Sequence, residues 1–428
     1  MLIVPSMANS QEVYDLSRCV LTGLENNFSL KIAKTYEQIS GNNYTLGNAG
    51  YLPSITTVNR FGGNVNNTNQ TLSDDSKTST SGIHNNSGVA NVNLDLTIFK
   101  GFQVQTTYQK LSELKKTGEL NTQMNIEDVI SKIIAEYYLH VQQLNLSKNL
   151  AYAVSLSRER VRIDEQRYLL GSSSKLELLQ SMVYLNADSS RYAKHTENVL
   201  ASQVRLKKMM ALENLEENIA LKDTAILIDT SLIYEILLDL TLRQNTGILL
   251  AEKDQIISEL DYKIIAGRAY PYLNLSSGYT YSYNRYETGS LKNQQVNGMN
   301  YGLTLGMDLY DGSKRRREKL NAKIAIENQK YQYLEIEQEV KADLVTIYYA
   351  YENNLKLIKL EEQNLEVARE NLGIALERYK LGDLSGLDLR EVQKSLLDAE
   401  ERLITVQYQT KLAEISLLLI SGQIMRDV

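Results

Sequence analysis

The feature that most restricts the fold of this 428-residue chain is an internal duplication with a constant offset of 211 positions (310 − 99, 348 − 137 and 378 − 167). The matched segments are Phe99–Gly101 with Tyr310–Gly312, Tyr137–Tyr138 with Tyr348–Tyr349, and Arg167–Gly171 with Arg378–Gly382. Loops change length freely, whereas a packed helix cannot lose one residue without rotating its buried face by about 100°. The constant offset therefore predicts a rigid helical element that the chain uses twice.

Two long helices are predicted over residues 101–170 and 312–381, which contain no proline and almost no internal glycine. Apolar residues recur there every three or four positions. A helix of about 65 residues is roughly 100 Å long and is stable in water only when it coils against others. Each helix ends at a glycine and is followed by a capping-box pattern, Ser174–Glu177 or Ser385–Asp388. Each half is therefore predicted to contain a helical hairpin with a defined tip.

Strict alternation of apolar and polar residues precedes each long helix and predicts β-hairpins over about 51–99 and 271–310. The tract from about Gly62 to Ser87 is polar and is interpreted as the variable loop of the first hairpin. Pro53 and Pro271 stand where the first strand of each hairpin begins, a position that tolerates proline. Phe99 and Gly101, like Tyr310 and Gly312, mark the strand-to-helix junctions.

The composition excludes several classes of function. A net charge of −6 argues against a nucleic-acid-binding surface, and one cysteine with three scattered histidines is too few for a cysteine-based zinc site or a disulfide framework. No phosphate-binding glycine loop or nucleophile elbow is present, so neither an enzyme nor a bound cofactor or metal is expected. The remaining Asp and Glu residues on the helices are expected to face solvent or to line a tunnel. Tyrosine is abundant, at 28 residues against 4 Phe and no Trp, which suits surfaces that are half lipid and half water.

The predicted domain organisation follows the duplication. Residues 1–10 are interpreted as a signal-peptide remnant or a disordered tail. The first repeat covers 11–211 and contains a helix, the first β-hairpin and a helical hairpin over 101–211 whose tip lies near 167–177. A connector over 212–230 leads to the second repeat, 231–422, which contains a helix, the second β-hairpin and a helical hairpin over 312–421 whose tip lies near 378–388. Residues 423–428 are a C-terminal tail.

Four strands are too few to close a barrel, and an open sheet edge invites pairing with another chain. Strands with one apolar or tyrosine-rich face and one polar face suit an outer-membrane barrel. Closure then requires several chains, and the long helices predict a helical tunnel on the same axis. The alternative is a non-membrane coiled-coil scaffold with surface hairpins, which explains neither the alternation nor the tyrosine content.

With its doubled order of helix, β-hairpin and helical hairpin, the chain resembles the TolC-type outer-membrane efflux proteins from about Gln11 to Gln423. The resemblance implies a homotrimer in the outer membrane of a Gram-negative bacterium, with a 12-stranded barrel and a periplasmic α-helical tunnel. It further implies outer-membrane lipid, a periplasmic adaptor protein and an inner-membrane transporter as partners, and passive export of drugs or other small molecules. An outer-membrane factor for type I protein secretion is the alternative within this class.

The tips carry the candidate site residues Arg167, Tyr168, Gly171, Arg378, Tyr379 and Gly382. In the local interpretation, glycine permits the helix to stop, and Arg and Tyr pack the turn. The resemblance implies instead that the tips close the tunnel and dock the adaptor. Acidic residues near the tips are either favourable charges at helix starts or, in a trimer, carboxylate rings that select cations. The aperture candidates are Glu177, Asp383, Asp388 and Glu391.

Overall fold

The structure is a computed structural model that describes residues 13–289 and 291–425. The predicted signal-peptide remnant at residues 1–10 and the end of the C-terminal tail at 426–428 lie outside the described residues. The helices are α1 Leu16–Asn26, α2 Phe28–Asn43, α3 Leu46–Ala49, α4 Gln103–Leu169, α5 Lys175–Met209, α6 Tyr234–Gln244, α7 Thr246–Gly267, α8 Lys314–Leu381 and α9 Gly386–Ile420. The strands are β1 Val13–Tyr14, β2 Ser54–Thr71, β3 Lys77–Lys100, β4 Ala220–Leu221, β5 Tyr272–Arg285 and β6 Asn293–Gly306.

The chain divides into two compact units. One contains residues 37–118 and 252–332, and the other contains the described parts of 1–36, 119–251 and 333–428. In the described part of the chain, no helix combines the length and apolarity that crossing a membrane would require.

The first unit contains an antiparallel sheet in the order β2-β3-β5-β6. Its register places the predicted apolar positions on one face, because Ile55 lies opposite Leu94, Val92 opposite Tyr279, and Tyr279 opposite Met299. The same register aligns Asn93 with Gly278 and Asn300 on the other face. The alternation in the sequence therefore becomes a sheet with one apolar and one polar face.

The polar tract from Gly62 to Ser87 differs from the prediction of a loop. It continues β2 and β3 as a two-stranded ribbon, and the turn between the strands spans only residues 72–76. Side chains support the ribbon: the Ser79 hydroxyl donates to Asn69 Oδ1 at 2.6 Å, and the backbone N–H of Gly82 donates to Asn67 Oδ1 at 2.8 Å. Polar residues thus form a strand here because their side chains add hydrogen bonds to the ladder.

The duplication recurs in the backbone. Positive φ angles occur at Gly101 and Gly312, at Phe102 and Ser313, at Gly171 and Gly382, and at Ala211 and Gly422, in each case 211 positions apart. The continuous helix predicted before each hairpin is instead interrupted, at Asn27 in one repeat and at Asn245 in the other. The side-chain oxygen of Asn27 accepts from the N–H of Leu30, and that of Asn245 accepts from the N–H of Ile248. Each asparagine therefore begins a new helix that the apolar spacing did not reveal.

The second unit has its largest core where α1, α4, α5 and α9 meet, around the fully buried Tyr137 and Leu206. His140, which is 2% exposed, lies in the same part of α4. Its Nδ1 is 2.7 Å from the Ser202 hydroxyl, which donates its own hydrogen to the Val199 carbonyl. The imidazole is therefore the donor in this pair and is neutral, and burial lowers its pKa to about 4.

We expect His140 to make the fold less stable in acid. Because the pKa is lowered in the folded state, the unfolded chain binds the extra proton first, and stability is lost as the pH falls from about 6.5 to about 4. The shift corresponds to about 3 kcal/mol. Thermal unfolding measured across this range should show a weaker pH dependence in His140→Gln than in the wild type. Equal slopes in the two proteins would contradict this role.

Candidate functional site at the tips of the helical hairpins

Each tip is built by the same turn. The N–H of Gly171 donates to the Tyr168 carbonyl at 3.0 Å and the N–H of Ser172 donates to the Arg167 carbonyl at 2.9 Å. In the second repeat, Gly382 and Asp383 make the equivalent bonds at 3.1 and 2.9 Å. This pattern satisfies the last helix carbonyls and requires a left-handed residue, which is the glycine. The tip glycines therefore have the local role that the sequence suggested.

The helices after the tips begin at serine caps. Ser174 Oγ accepts from the N–H of Glu177 at 3.2 Å, and Ser385 Oγ accepts from the N–H of Asp388 at 3.1 Å. In a full capping box, the carboxylate would accept from the backbone N–H of the capping serine. Here the carboxylates of Glu177 and Asp388 accept instead from the hydroxyls of Ser173 and Ser385. Both acids remain exposed at the start of a helix, where the dipole stabilises a negative charge.

The structure brings the two tips of one chain together. Arg167 of the first tip donates to the carbonyl of Tyr379 of the second, and its guanidinium lies 4.7 Å from the centre of the Tyr379 ring. Tyr379 is 2% exposed and donates its hydroxyl hydrogen to Asp164. Burial, followed by the contact with Asp164, raises the pKa of Tyr379 to about 12, so the phenol remains a donor at any physiological pH.

The matched residues of the two tips have different surroundings. Tyr168, the counterpart of Tyr379, is 41% exposed, and Ala375 occupies the position that corresponds to Asp164. Arg378, the counterpart of Arg167, pairs with Asp383 of its own tip, with Nη2 and Oδ2 2.9 Å apart. The aperture candidate Asp383 is therefore already paired with a cation, whereas Asp388 and Glu391 are exposed on α9.

A buried polar cluster behind the tips was not predicted. Arg390 on α9 donates two hydrogen bonds, at 2.6 and 2.7 Å, to Asp188 on α5. These bonds raise the pKa of Arg390. The ring of Tyr184 lies 5.1 Å from the guanidinium carbons of both Arg390 and Arg160. The cluster joins the two hairpins through charge-assisted hydrogen bonds.

The expectation that helical Asp and Glu face solvent or a tunnel is wrong for Asp164 and Asp188, which are 1% and 6% exposed. Arg160, 4% exposed, approaches Asp164 at 3.8 Å, a distance that allows charge attraction but not a hydrogen bond. Buried charges are usually paired, and Asp188 is paired with Arg390 through two hydrogen bonds. The sequence signal that was available is an acid at a buried position of an otherwise apolar helical stripe.

Apolar side chains surround the tip glycines and are exposed in the single chain. The exposed fractions reach 82% for Leu170 and 72% for Leu176 at the first tip, and 83% for Leu381 and 70% for Leu387 at the second. Exposed apolar groups of this size at matched positions are typical of a protein-binding surface.

The predicted junction residues lie in the unit that contains the sheet. Pro53 and Pro271 directly precede β2 and β5. Phe99 forms an edge-to-face contact with Phe102, with ring centres 5.2 Å apart, whereas Tyr310 is 83% exposed. Gly101 and Gly312 both have positive φ angles, of 58° and 67°.

Comparisons with known proteins agree with this fold. The model of the outer membrane efflux protein family matches residues 22–212 and 237–423. No curated protein matches the chain in a sequence search. Among solved structures, the chain is similar to CusC, with 14% identity, 98% of both chains covered and a TM-score of 0.77. It is also similar to VceC of Vibrio cholerae, with 15% identity, 95% of this chain and 96% of VceC covered and a TM-score of 0.74. A third similar structure is the CmeC outer membrane channel of Campylobacter jejuni, with 17% identity, 95% of this chain and 85% of CmeC covered and a TM-score of 0.74. The predicted fold class, a mixed α and β membrane protein with an internal duplication, is confirmed.

Proposed function

The chain belongs to the outer membrane efflux protein family, and we propose that it is the outer-membrane channel of a tripartite export system. It is an outer-membrane protein of a Gram-negative bacterium, as the sequence predicted. In this proposal, it is a passive conduit for small molecules and catalyses no reaction. A periplasmic adaptor and an inner-membrane transporter deliver the substrate. The match to an efflux family favours small molecules over secreted proteins.

The observation that carries the proposal is the four-stranded sheet with one apolar and one polar face. Within the described residues, β2 and β6 each pair on one side only, so both edges of the sheet can accept another strand. Three copies would supply twelve strands and close a barrel whose apolar face meets lipid and whose polar face lines water. The homotrimer is therefore the assembly that we propose.

The tips at the other end of the long helices support docking of the periplasmic adaptor. Their exposed leucines offer an apolar contact to the adaptor, and the contact between Arg167 and Tyr379 holds the two tips of one chain together. Two matched tips in each of three chains give six similar positions around one opening.

Purification and electrophysiology test the conduit. The protein extracted in detergent is expected to migrate as a heat-resistant trimer and to produce ion conductance when it is added to planar bilayers. A chain that purifies as a monomer without detergent would contradict the proposal and would favour the coiled-coil scaffold.

Asp388 is the candidate that we expect to select ions at the aperture. Its exposed carboxylate becomes a ring of three in the trimer, and such a ring favours cations. In a salt gradient, Asp388→Asn should shift the reversal potential towards lower cation preference. Glu391→Gln, three residues further along α9, is the matched control and should cause a smaller shift. A reversal potential that Asp388→Asn leaves unchanged would exclude the ring.

A further inference from the structure

The apolar face of the sheet contains a cleft near the end that is opposite to the strand-to-helix junctions. This is the face on which Val92 lies opposite Tyr279. The cleft has a volume of about 550 Å³, which is the size of a small-molecule site. Its lining includes Phe61 of β2, Gly88 and Ala90 of β3, and Tyr281 and Tyr283 of β5. All five lie on the apolar face, because Gly88 pairs with both Phe61 and Tyr283, and Ala90 pairs with Tyr281.

The cleft forms because the side chains of β3 become smaller along the strand. On the apolar face, Val92 is followed by Ala90 and then Gly88, while the neighbouring strand β5 has a tyrosine opposite each of them. Phe61 lies beside Gly88 on the other side, where an added Cβ atom would be 3.0 Å from the Phe61 Cδ1 atom. The cleft therefore has small residues as its floor and aromatic rings as its walls.

Hydrogen bonds hold the tyrosine wall away from Phe61. The Tyr283 hydroxyl donates to Asn293 Oδ1 at 3.2 Å, and Asn297 Nδ2 donates to the Tyr279 hydroxyl at 3.1 Å. Both asparagines are on β6, which lies on the side of β5 away from β3, so these bonds draw the tyrosine hydroxyls away from the cleft. Phe61 on the opposite wall is 83% exposed, and the cleft is open to the medium that the apolar face meets.

The height of the cleft on the sheet places it at one rim of the lipid-facing band. Leu273 and Tyr283 on this face are ten positions apart, which is about 33 Å along a strand. With a strand tilt of about 40°, this span is about 25 Å tall, the height of the apolar band of an outer-membrane barrel. In the proposed channel the strand-to-helix junctions are periplasmic, so Tyr283 lies at the level of the outer leaflet.

A cation lies directly beyond the cleft. Arg285 follows Tyr283 by two positions and is therefore on the same face. It is exposed, and its pair with Asn86 is the last one between β3 and β5. A guanidinium can bind two oxygens of a phosphate at once. The face thus combines an apolar cleft at membrane depth with a phosphate-binding group immediately above it.

We propose that the cleft and Arg285 bind a lipid A molecule of the outer leaflet, with an acyl chain in the cleft and a phosphate on Arg285. Lipid A anchors lipopolysaccharide in the outer leaflet of Gram-negative outer membranes, and it carries phosphates above several acyl chains. The site rests on the proposed channel, which turns the apolar face towards lipid. Each chain of the trimer would carry one such site, because its lining comes from a single chain.

Native mass spectrometry of the detergent-purified trimer, incubated with lipid A, tests the site by counting the lipids that remain bound. Arg285→Gln should weaken the retention of lipid A about fivefold, the effect of one cation beside anionic lipid. Ala90→Phe fills the cleft and should weaken retention severalfold. Both changes lie on the outward face, and the amount of heat-resistant trimer should stay at the wild-type level.

The sheet offers a matched control for each variant. Val92→Phe adds the same ring to the same face of β3, two residues away and outside the cleft. Arg60→Gln removes an exposed cation of β2 that pairs with Val89 and is therefore on the opposite face. Both controls should retain lipid A like the wild type. Losses equal to those of Ala90→Phe and Arg285→Gln would indicate unspecific contact with lipid and would overturn the site.

Lipid A without its phosphates separates the two parts of the site. The wild type and Arg285→Gln should retain this lipid equally, because the guanidinium then has no phosphate to bind, whereas Ala90→Phe should still weaken its retention. A difference between the wild type and Arg285→Gln that persists with this lipid would overturn the phosphate contact.

The remaining outcomes separate this inference from other lipids and from the proposed function. Phosphatidylglycerol also combines a phosphate with acyl chains, and its retention by the wild type as tightly as lipid A would overturn the assignment. A conducting, heat-resistant trimer that retains no lipid A overturns the site and leaves the channel intact. A chain that purifies as a monomer without detergent overturns both proposals.

Discussion

Gly101→Ala is expected to abolish the folded channel, whereas the same change at the duplicated position, Gly312→Ala, is expected to be tolerated. A Cβ atom at residue 101 would lie 2.0 Å from the carbonyl oxygen of Gly267 and 2.9 Å from Tyr270 Cβ. The first neighbour is backbone and cannot rotate away. At Gly312, a Cβ atom would meet no heavy atom within 4 Å.

Both glycines have a left-handed backbone conformation, which strains an alanine at either position. This strain is common to both variants and cancels when they are compared. It costs about 1–2 kcal/mol. The clash at residue 101 adds a cost that we place above about 4 kcal/mol, which is in the range that single substitutions rarely reach. The amount of heat-resistant trimer in outer-membrane extracts measures the difference. Equal amounts from both variants would show that the Gly101–Gly267 approach is not required.

Asp188→Ala is expected to be the most damaging change among the helix ion pairs. It removes both hydrogen bonds from Arg390 and leaves that guanidinium mostly buried without its carboxylate. Breaking a buried pair from one side costs about 3–5 kcal/mol. Thermal unfolding followed by circular dichroism should therefore show a clearly lower midpoint for this variant.

The chain offers a matched control on the same two helices. Arg191 on α5 and Glu401 on α9 are 3.1 Å apart and about half exposed, so Glu401→Ala should cost less than about 1 kcal/mol. A double variant, Asp188→Leu with Arg390→Leu, should recover much of the stability because neither charge then remains unpaired. If Asp188→Ala and Glu401→Ala lowered the midpoint equally, the buried pair would contribute no more than a surface pair.

The sequence predicted the parts of the fold that follow from a regular spacing of residues along the chain. The alternation from Asn91 to Ile98 predicted a two-faced strand, and the spacing of glycines at 171 and 382 predicted two matched tips. The breaks at Asn27 and Asn245 were missed because each depends on one side chain that bonds to a distant carbonyl rather than on periodicity. The ribbon was missed because Asn, Ser and Gly, which are frequent in this tract, favour turns unless a partner strand is available.

The candidate site was predicted only in part. Arg167 and Tyr379 were identified as tip residues, but each was assigned to its own turn, and their contact depends on how the hairpins pack. Asp188 and Arg390 are 202 positions apart, and no local pattern connects them. Charged residues on a long helix usually face solvent, so burial of these two became evident only from the packed structure.

The first repeat has Asp164 where the second repeat has Ala375, and this difference has a consequence for how such a channel evolves. A ring of six identical short chains must carry any mutation at all six joints, which are the contacts between neighbouring helical hairpins. In a ring of three duplicated chains, alternate joints are encoded separately, so the hydrogen bond of Tyr379 can be kept at three joints while the other three change. Gene duplication thereby halves the number of joints that any one mutation alters.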